Sequence, residues 1–503
     1  MGTCSALALR AAFLLAAWLP VSAALQAQHP AAFADLFAAP ATMARRREAT
    51  DKLSAALATS LNRTGKSGTW GVIVVSLTNG DTLFGRNPDR QLLPASTMKL
   101  FTSALALDRF GPNGRFETQV LRTGSVRPDG TLDGDLILRG AGDPTLGGRQ
   151  VNEATALPMS VLARAVADAG IKHVNGGLIG DASGFEDAKV PDGWRKRYLQ
   201  ASYAARVSAL SFNENQIVVL LRPDGHHAGI SFRPAISGVD VTNDVQVVAG
   251  SRAARIHVTQ DSVLGRIRIS GWIGSKSPER DYRFVVENPE LFAAGALKSA
   301  LEAEGITVDG PIRIGQARDS TTSVASLNSP TLDHIIEQMN GESNNHFAEL
   351  LFRNASRSAG RHGSAEGANS LLRRFLSEKV HVALDAVFAA DGSGLSTLDR
   401  VTPRSMVQLL GYARQASWGP VLEGSLPVAG QTETLRRRMR STLAMGNLHA
   451  KTGTTNDVAS LGGYVTASNG EDLVFSVIYN GSDRWRARDA IDRIGVTLAT
   501  FSR

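Results

Sequence analysis

The sequence has little cysteine and few aromatic residues, and each shortage excludes a class of function. Its 503 residues include a single cysteine, Cys4, which precedes the apolar N-terminal stretch, where no lipoprotein cysteine would lie. If the segment that holds Cys4 is removed, disulfide bonds, thiol nucleophiles and thiolate metal sites are excluded together. Aromatic residues make up 6% of the chain, and the net charge of +7 is dispersed over it. A nucleic-acid interface needs clustered basic residues and aromatic platforms, so none is expected.

Long hydrophobic runs are also missing, except for one near the N-terminus. Residues 1–27 combine Arg10 with an apolar stretch from Ala11 to Leu25 and close with small residues, as secretory signal peptides do. The short stretch and its Pro20 argue against a membrane span, and an uncleaved anchor is the alternative. No second apolar run of about 18 residues follows. We therefore expect a periplasmic or secreted protein with no integral membrane segment after signal cleavage.

The two ends of the chain carry the same pattern, a β-hairpin beside a helix. β-Rich runs around turn residues such as Asn79-Gly80 predict four strands, over residues 70–77, 81–84, 459–466 and 473–479. Helical periodicity predicts two helices, over residues 44–61 and 484–501. These elements suggest one antiparallel sheet that is assembled from both ends of the chain.

The middle of the chain has a different pattern of predicted secondary structure. From about residue 118 to residue 328, short strands alternate with turns rich in Gly, Asp and Asn, and no repeat of fixed period is present. From residue 332 to residue 410 the pattern is helical again. We interpret the middle as one or two β-rich domains that are inserted into a discontinuous domain.

Three short motifs have residues suited to chemistry, and the first begins at Ser96. Ser96-Thr97-Met98-Lys99 opens an apolar helical run, so its serine and lysine lie one turn apart on one face. The N–H groups at the start of a helix favour negative charge on the serine, and a lysine with a lowered pKa can accept its proton. Lys99 alone among the lysines has a serine three residues before it. The alternative is a helix-capping serine beside a solvated lysine.

The second motif is Ser343-Asn344-Asn345, at the start of another predicted helix. A hydroxyl and an amide two residues apart can pass on a proton and hold a peptide carbonyl. The same spacing occurs where turns or caps suffice, at Ser60, Ser211 and Ser326. His346 and Glu349 follow the motif, but no partnering histidine pair is near. Surface or core roles are therefore favoured over a metal site.

The third motif, Lys451-Thr452-Gly453, occurs once in the chain and is followed by Thr454. It lies just before the predicted strand that begins at Ala459. The glycine lets a ligand approach the backbone, the lysine supplies positive charge, and the threonine hydroxyls can bind a carboxylate. An ordinary turn at the edge of a sheet is the alternative.

In this order, the three motifs are those of penicillin-binding proteins and serine β-lactamases. The long gap between Ser96 and Ser343 resembles the D-alanyl-D-alanine carboxypeptidase/endopeptidase family of class C penicillin-binding proteins, whose members insert two β-rich domains there. Residues 92–100, 207–211 and 391–396 are also similar to that family. The resemblance runs from about residue 45 to the C-terminus.

The resemblance implies an α/β fold of the penicillin-binding or β-lactamase-like (transpeptidase-like) type. An antiparallel sheet with helices on both faces would be interrupted by two β-rich inserted domains. The expected parts are a signal peptide at 1–27, a catalytic domain at 40–116 and 329–503, an inserted domain at 117–140 and 251–328, and a second inserted domain at 141–250.

The resemblance also implies serine-type D-Ala-D-Ala carboxypeptidase activity, with or without D,D-endopeptidase activity, on peptidoglycan stem peptides. Five residues would be catalytic: Ser96 as the nucleophile, Lys99 as its base, Ser343 as proton donor to the leaving amine, Asn345 as a holder of the substrate amide, and Lys451. The N–H groups of Ser96 and Thr454 would form the oxyanion hole. The terminal carboxylate would be bound by Lys451 with Thr452, Gly453 and Thr454. β-Lactams would acylate Ser96, and neither a metal nor another cofactor is expected.

Two other functions remain open at this point. A β-lactamase shares the three motifs but is a compact single domain, which the long insertion argues against. A non-catalytic peptidoglycan-binding protein with a dead site is disfavoured by intact Ser96, Lys99 and Lys451. No Gly-x-Ser-x-Gly elbow supports a Ser-His-Asp hydrolase, and Gly140-x-Gly142 is interpreted as a turn. The sequence does not fix the oligomeric state.

Overall fold

The computed structural model describes residues 40–62, 68–147, 158–260, 266–360 and 362–503. The predicted signal peptide, residues 1–27, lies outside the described residues. Within the described ranges, no helix combines the length and the apolar composition that crossing a membrane requires.

A five-stranded antiparallel sheet joins the two ends of the chain. Its strands lie in the spatial order Thr82–Arg86, Gly68–Ser76, Asp472–Gly481, Val458–Thr466 and His449–Thr454. The strand Gly68–Ser76 pairs with Asp472–Gly481 along its whole length, from Gly68 opposite Gly481 to Ser76 opposite Leu473. The prediction that both ends of the chain build one antiparallel sheet is confirmed.

Helices cover both faces of this sheet, because its inner strands bury side chains on both sides. Val72 and Val74 belong to the apolar core on one face, and Ile73 between them belongs to the core on the other. The first face carries the helices Pro40–Asn62 and Arg484–Thr500. The second face carries Met98–Phe110, Leu332–Glu342, Asn345–Arg357, Ala365–Phe375, Pro403–Gln415 and Gly419–Gly424. This is the α/β arrangement that the sequence predicts.

The region between the first and second motifs contains further sheets. One has the strand order Ile312–Ile314, Leu178–Asp181, Leu136–Arg139, Glu117–Arg122 and Thr322–Asn328. A smaller one has the order Thr307–Val308, His173–Val174, Thr131–Asp133 and Ser125–Val126. The helices Pro158–Asp168 and Pro289–Ala303 bury their apolar residues in the same core as these strands. A short pair, Val387–Phe388 with Arg400–Val401, lies after the insertion.

A six-stranded sheet completes the inserted region. Its spatial order is Ala254–Gln260, Ile267–Gly274, Val241–Val248, His227–Arg233, Gln216–Asp224 and Arg280–Val285. The predicted limit between residues 250 and 251 falls within this sheet, because strands on both sides of it pair with one another. Gly250, at φ +78°, makes a turn between two strands there. The other predicted domain limits stay a prediction.

Candidate active site

Ser96 lies in a tight turn that leads directly into a buried helix. The 3-10 turn Ala95–Thr97 continues into Met98–Phe110, whose first ten residues are all buried. Ala95 has φ +49°, a conformation that is unfavourable for a residue with a side chain, so the surroundings must hold it. The carbonyl of Pro94 accepts hydrogen bonds from the Thr97 hydroxyl at 2.7 Å and from the Ser460 hydroxyl at 2.7 Å. The half-buried Ser96 hydroxyl is therefore presented from a fixed backbone.

Lys99 is placed as predicted, one turn after Ser96. Its Nζ atom lies 3.2 Å from Ser96 Oγ and donates to Asn345 Oδ1 at 2.7 Å and to the Ser393 carbonyl at 2.8 Å. The side chain is 0% exposed. Burial lowers the pKa of Lys99 from 10.5 to about 8, against the opposing effect of the carboxyl groups of Asp391, Glu349 and Asp399. The amine can therefore be neutral at mildly alkaline pH and accept a proton.

Ser343 and Asn345 lie at the junction of two helices. Ser343 is left-handed, at φ +60°, between Leu332–Glu342 and Asn345–Arg357. The side chain of Asn344 caps the second helix by accepting from the Phe347 N–H at 3.2 Å. The side-chain amide of Asn345 has a partner at each end. Its Oδ1 atom accepts from Lys99, and its Nδ2 atom donates to the Tyr203 carbonyl at 2.9 Å. One N–H of this amide remains for a ligand.

The third motif lies on a strand, not in a turn ahead of one. Lys451, Thr452, Gly453 and Thr454 belong to the edge strand His449–Thr454. Lys451 is 0% exposed, and its Nζ atom donates to Ser343 Oγ at 2.9 Å and to the Thr452 carbonyl at 3.2 Å. Burial, reinforced by the nearby Lys99, holds the pKa of Lys451 well below its usual range. Its amine therefore reaches the cleft only through Ser343.

The edge strand and the Ser96 turn approach each other at Gly453. A Cβ atom on Gly453 would collide with Ser460 Oγ and would lie 2.7 Å from the Pro94 carbonyl oxygen and 3.1 Å from the Ser96 nitrogen. Glycine is therefore required by close approach of two backbones. The hydroxyl of Thr452, which is 8% exposed, donates to Thr434 Oγ1 at 3.1 Å.

The direction of the N–H groups along this strand decides what Thr454 offers. Ala450 N–H donates away from the sheet, to the Pro427 carbonyl at 3.0 Å, whereas Thr455 N–H donates to the Val458 carbonyl at 3.1 Å. Because N–H groups alternate along a strand, the N–H of Thr454 points to the open side of the sheet, as that of Ala450 does. Ser96 and Thr454 line one cleft, and their joint role as oxyanion donors stays a prediction.

Four motif residues, Ser96, Ser343, Asn345 and Thr454, line a cleft of about 350 Å³. The sequence did not predict the other residues of its rim. Cleft residues beyond the motifs are Tyr198, Tyr203, Gly394, Leu395, Thr455, Asn456 and Arg484. Tyr198 and Tyr203 come from the inserted region and meet edge to face, with ring centroids 5.8 Å apart. The only sequence signal for any of them was the similarity of residues 391–396 to a known family. Long-range packing supplied the rest.

His346 and Glu349, the weighed metal candidates, are both buried in the helix Asn345–Arg357. Glu349 accepts from the backbone N–H of Ser393 at 3.0 Å and of Gly392 at 3.2 Å. Among the residues that the structure describes, no three His, Cys, Asp or Glu side chains are grouped so that they could hold a metal ion. Glu349 thus supports the segment that contacts Lys99.

The geometry defines a class of enzyme. A serine hydroxyl beside a buried lysine amine, a second serine bonded to a second lysine, and an edge strand with outward N–H groups together make an acyl-transfer site. A lysine amine stands beside the serine where other serine hydrolases have a histidine, which is the arrangement of the penicillin-binding class of active-site serine enzymes.

The particular family follows from comparison with known proteins. The model of the D-Ala-D-Ala carboxypeptidase 3 (S13) family matches residues 53–501, and the chain belongs to that family. It is thus a serine-type D-Ala-D-Ala carboxypeptidase, as the motifs predicted.

Individual relatives agree with this assignment. The D-alanyl-D-alanine carboxypeptidase of Actinomadura sp. (strain R39) is 31% identical over 448 residues, which cover 86% of this chain and 81% of the relative. The D-alanyl-D-alanine carboxypeptidase DacB of Haemophilus influenzae is 27% identical over 419 residues, which cover 82% and 85%. The crystal structure of penicillin binding protein 4 (dacB) from Haemophilus influenzae matches with a TM-score of 0.73 and 25% identity, covering 89% of this chain and 98% of that one.

Proposed function

We propose that the chain removes the terminal D-Ala of peptidoglycan stem peptides through an acyl-enzyme on Ser96. The observation that carries this is the 3.2 Å contact between Lys99 Nζ and Ser96 Oγ, made by a lysine whose pKa burial lowers to about 8. A neutral amine at this position can take the hydroxyl proton while the oxygen attacks.

Acylation then runs as a balanced addition and elimination. Ser96 Oγ bonds to the carbonyl carbon of the penultimate D-Ala, and its proton goes to Lys99. The carbonyl oxygen becomes an anion that the N–H groups of Ser96 and Thr454 bind, at about 3 kcal/mol per donor. As the C–N bond breaks, the Ser343 hydroxyl gives a proton to the leaving amine, and Lys451, 2.9 Å away, can restore it.

The remaining motif residues bind the substrate in this proposal. The free N–H of Asn345 receives a carbonyl of the stem peptide. The exposed Thr454 hydroxyl, with the backbone at Gly453 and the nearly buried Thr452, receives the carboxylate of the leaving D-Ala. Lys451 acts from behind Ser343, as the donor that restores the Ser343 proton. A water molecule finally attacks the ester carbonyl carbon and gives a proton to Lys451 through Ser343. The ester C–O bond breaks, and the Ser96 oxygen takes back its proton from Lys99.

β-Lactams should enter the same reaction, because their strained amide and carboxylate mimic the substrate. A mature chain incubated with excess benzylpenicillin is expected to gain the mass of one penicillin, and Ser96→Ala is expected to gain none. Full release of D-Ala by Ser96→Ala would refute the proposal. Consumption of penicillin without a lasting adduct would favour a β-lactamase, and neither adduct nor consumption would favour a non-catalytic binding protein.

We also propose D,D-endopeptidase activity as a second reaction of the same site. In a cross-linked peptide the scissile nitrogen again belongs to a D-centre with a carboxylate, so the same groups could bind it. Purified disaccharide peptides with and without a cross-link, digested side by side, would separate the two activities. Release of D-Ala alone would exclude the endopeptidase.

Export to the periplasm or to the medium is proposed from the apolar stretch of residues 1–27 and from the extracytoplasmic location of peptidoglycan. Cell fractionation, with N-terminal sequencing of the recovered protein, tests it. A protein that keeps residue 1 and sediments with membranes would show an uncleaved anchor instead.

A further inference from the structure

The segment 391–396 forms a wall beside the proposed base. Its Ser393 carbonyl accepts from Lys99 Nζ at 2.8 Å, and its Gly392 carbonyl accepts from the Thr102 hydroxyl at 2.6 Å. Gly394 has φ +84°, and a Cβ atom there would collide with the carbonyl of Ala95. The segment therefore touches both the lysine and the turn that presents the nucleophile.

One buried carboxylate holds this segment in shape. Asp391 is 0% exposed and accepts from three backbone N–H groups of its own segment. They belong to Ser393 at 3.0 Å, Gly394 at 2.6 Å and Ser396 at 2.7 Å. Asp391 Oδ2 also accepts from the Trp194 indole N–H at 2.7 Å. A carboxylate that receives this many donors fixes the direction of the Ser393 carbonyl.

Trp194 belongs to the inserted region, which is fastened to the same segment at further points. The Ser396 hydroxyl donates to the Asp192 carbonyl at 2.6 Å, and Thr397 N–H donates to the Gly193 carbonyl at 3.2 Å. Gly193 has φ +79°, and a Cβ atom there would collide with the Ser396 hydroxyl oxygen. These contacts hold the loop that carries Trp194 in place relative to Asp391.

Other charged groups face Lys99 and Asp391, and each has a defined place. Burial is the main reason that the pKa of Asp399 is raised well above its usual range and that of Glu349 to about 8. The carboxylate of Asp391 raises both pKa values further. Lys451 adds like charge to Lys99, and Arg353 faces Glu349 with a pKa that burial lowers. Asp391 differs from both in accepting hydrogen bonds from four N–H groups.

We propose that Asp391 is a positioning residue for Lys99, and that through Trp194 it ties the inserted region to the base. The inference rests on the proposed acyl-enzyme mechanism and gives the inserted region a role in it. Asp391 orients the Ser393 carbonyl toward Lys99 Nζ and supplies negative charge near that amine. Trp194 keeps the carboxylate in place from the other side of the cleft wall.

The test is the rate of acylation by benzylpenicillin as a function of pH, in wild type, Asp391→Asn and Asp399→Asn. In Asp391→Asn the rate at its plateau should fall by about tenfold to hundredfold, because the base is misplaced by a fraction of an ångström. The ascending limb of the pH–rate profile should also move to lower pH, because the Asp391 charge that raises the pKa of Lys99 is gone. Asp399→Asn removes an equally buried carboxyl group that raises the pKa of Lys99 less than Asp391 does, so it should move the ascending limb of the pH–rate profile less.

A second variant keeps the test decisive if Asp391→Asn does not fold, which its melting temperature will show. Trp194→Phe removes the indole N–H and retains most of the ring, and it should lower the same rate. A folded Asp391→Asn with the wild-type plateau and limb would overturn the inference, as would an equal shift in Asp399→Asn. An unchanged rate in Trp194→Phe would overturn the tie to the inserted region. A wild-type chain that is never acylated would instead refute the proposed function.

Discussion

The Nζ atom of Lys451 lies 2.9 Å from Ser343 Oγ, so the second and third motifs meet as one hydrogen-bonded unit. Lys451 is fully buried behind Ser343, which stands at the surface of the cleft. A charge in this position acts on substrate through the serine. Replacing either Lys451 or Ser343 should therefore impair the same step of acylation.

Single replacements Ser343→Ala and Lys451→Ala should each lower the acylation rate by about hundredfold to thousandfold, the range for loss of one transition-state donor. The double variant should be little worse than either single one, because each change breaks the same link. Acylation rates for the four members of this cycle measure the coupling. Lys379→Ala, at a surface lysine paired with Asp108, is the control and should keep the wild-type rate. If the fold-loss of acylation rate in the double variant equals the product of the two single losses, Ser343 and Lys451 do not act as one unit.

The pH dependence of acylation should follow the Lys99 amine. Its pKa is lowered to about 8, so the protonated, inactive form predominates below that pH and the rate should rise as pH increases through about 8. Lys99→Arg keeps a positive charge that cannot be removed in this range, so it should not be acylated at any pH tested. Stopped-flow or mass-spectrometric rates between pH 6 and pH 10 would check this. A rate that is flat across the range would exclude Lys99 as the base.

Gly453→Ala should disable the site with a limited effect on folding. The added methyl group would press on Ser460 and on the Pro94 carbonyl, and would push the edge strand away from Ser96. We expect the acylation rate to fall by about hundredfold, as for a 1 Å misplacement of reacting groups. Gly424→Ala is the matched control, because a Cβ atom there meets nothing within 4 Å. Wild-type acylation by Gly453→Ala would show that the two backbones can separate freely.

The C-terminal residue makes a buried ion pair that should matter for stability. Arg503 and Glu471 have side chains that are 8% and 4% exposed, and their nearest nitrogen and oxygen atoms lie 2.7 Å apart. Arg503→Met would leave the Glu471 carboxylate buried without its cation, so the free energy of unfolding should fall by about 3 kcal/mol. Arg404→Met breaks an exposed pair with Asp89 and should cost less than about 1 kcal/mol. Urea denaturation of the three proteins measures both, and equal losses would contradict the argument.

Much of this site could be predicted from the sequence because the residues of each motif lie within a short segment of the chain. Ser96 and Lys99 lie one helical turn apart, so local geometry alone places them together. The strand pattern at both chain ends likewise predicted the central sheet. Lys451 was expected ahead of a strand, and its place within one depends on pairing with Val458–Thr466 that no local signal reveals.

The cleft rim was beyond prediction for a related physical reason. Tyr198 and Tyr203 stand in short 3-10 turns with no marked periodicity, and only the folded insertion brings them to Asn345. The predicted limit at residue 250 lies between two strands of one sheet, and a turn glycine has the same local character between strands as between domains. Asp391 and Trp194 lie far apart along the chain, so only the folded structure reveals their bond.

The pairing of Gly68–Ser76 with Asp472–Gly481 has a consequence for biosynthesis. The strand that receives the first hairpin is translated long after that hairpin, and so is the strand that carries Thr454. Neither half of the central sheet can close before then, and such distant pairing makes folding slow. A growing chain therefore contains Ser96 early but should become reactive only after the strand Asp472–Gly481 has been made. Products that end before the last hairpin should be inert toward the cell wall and toward penicillin alike.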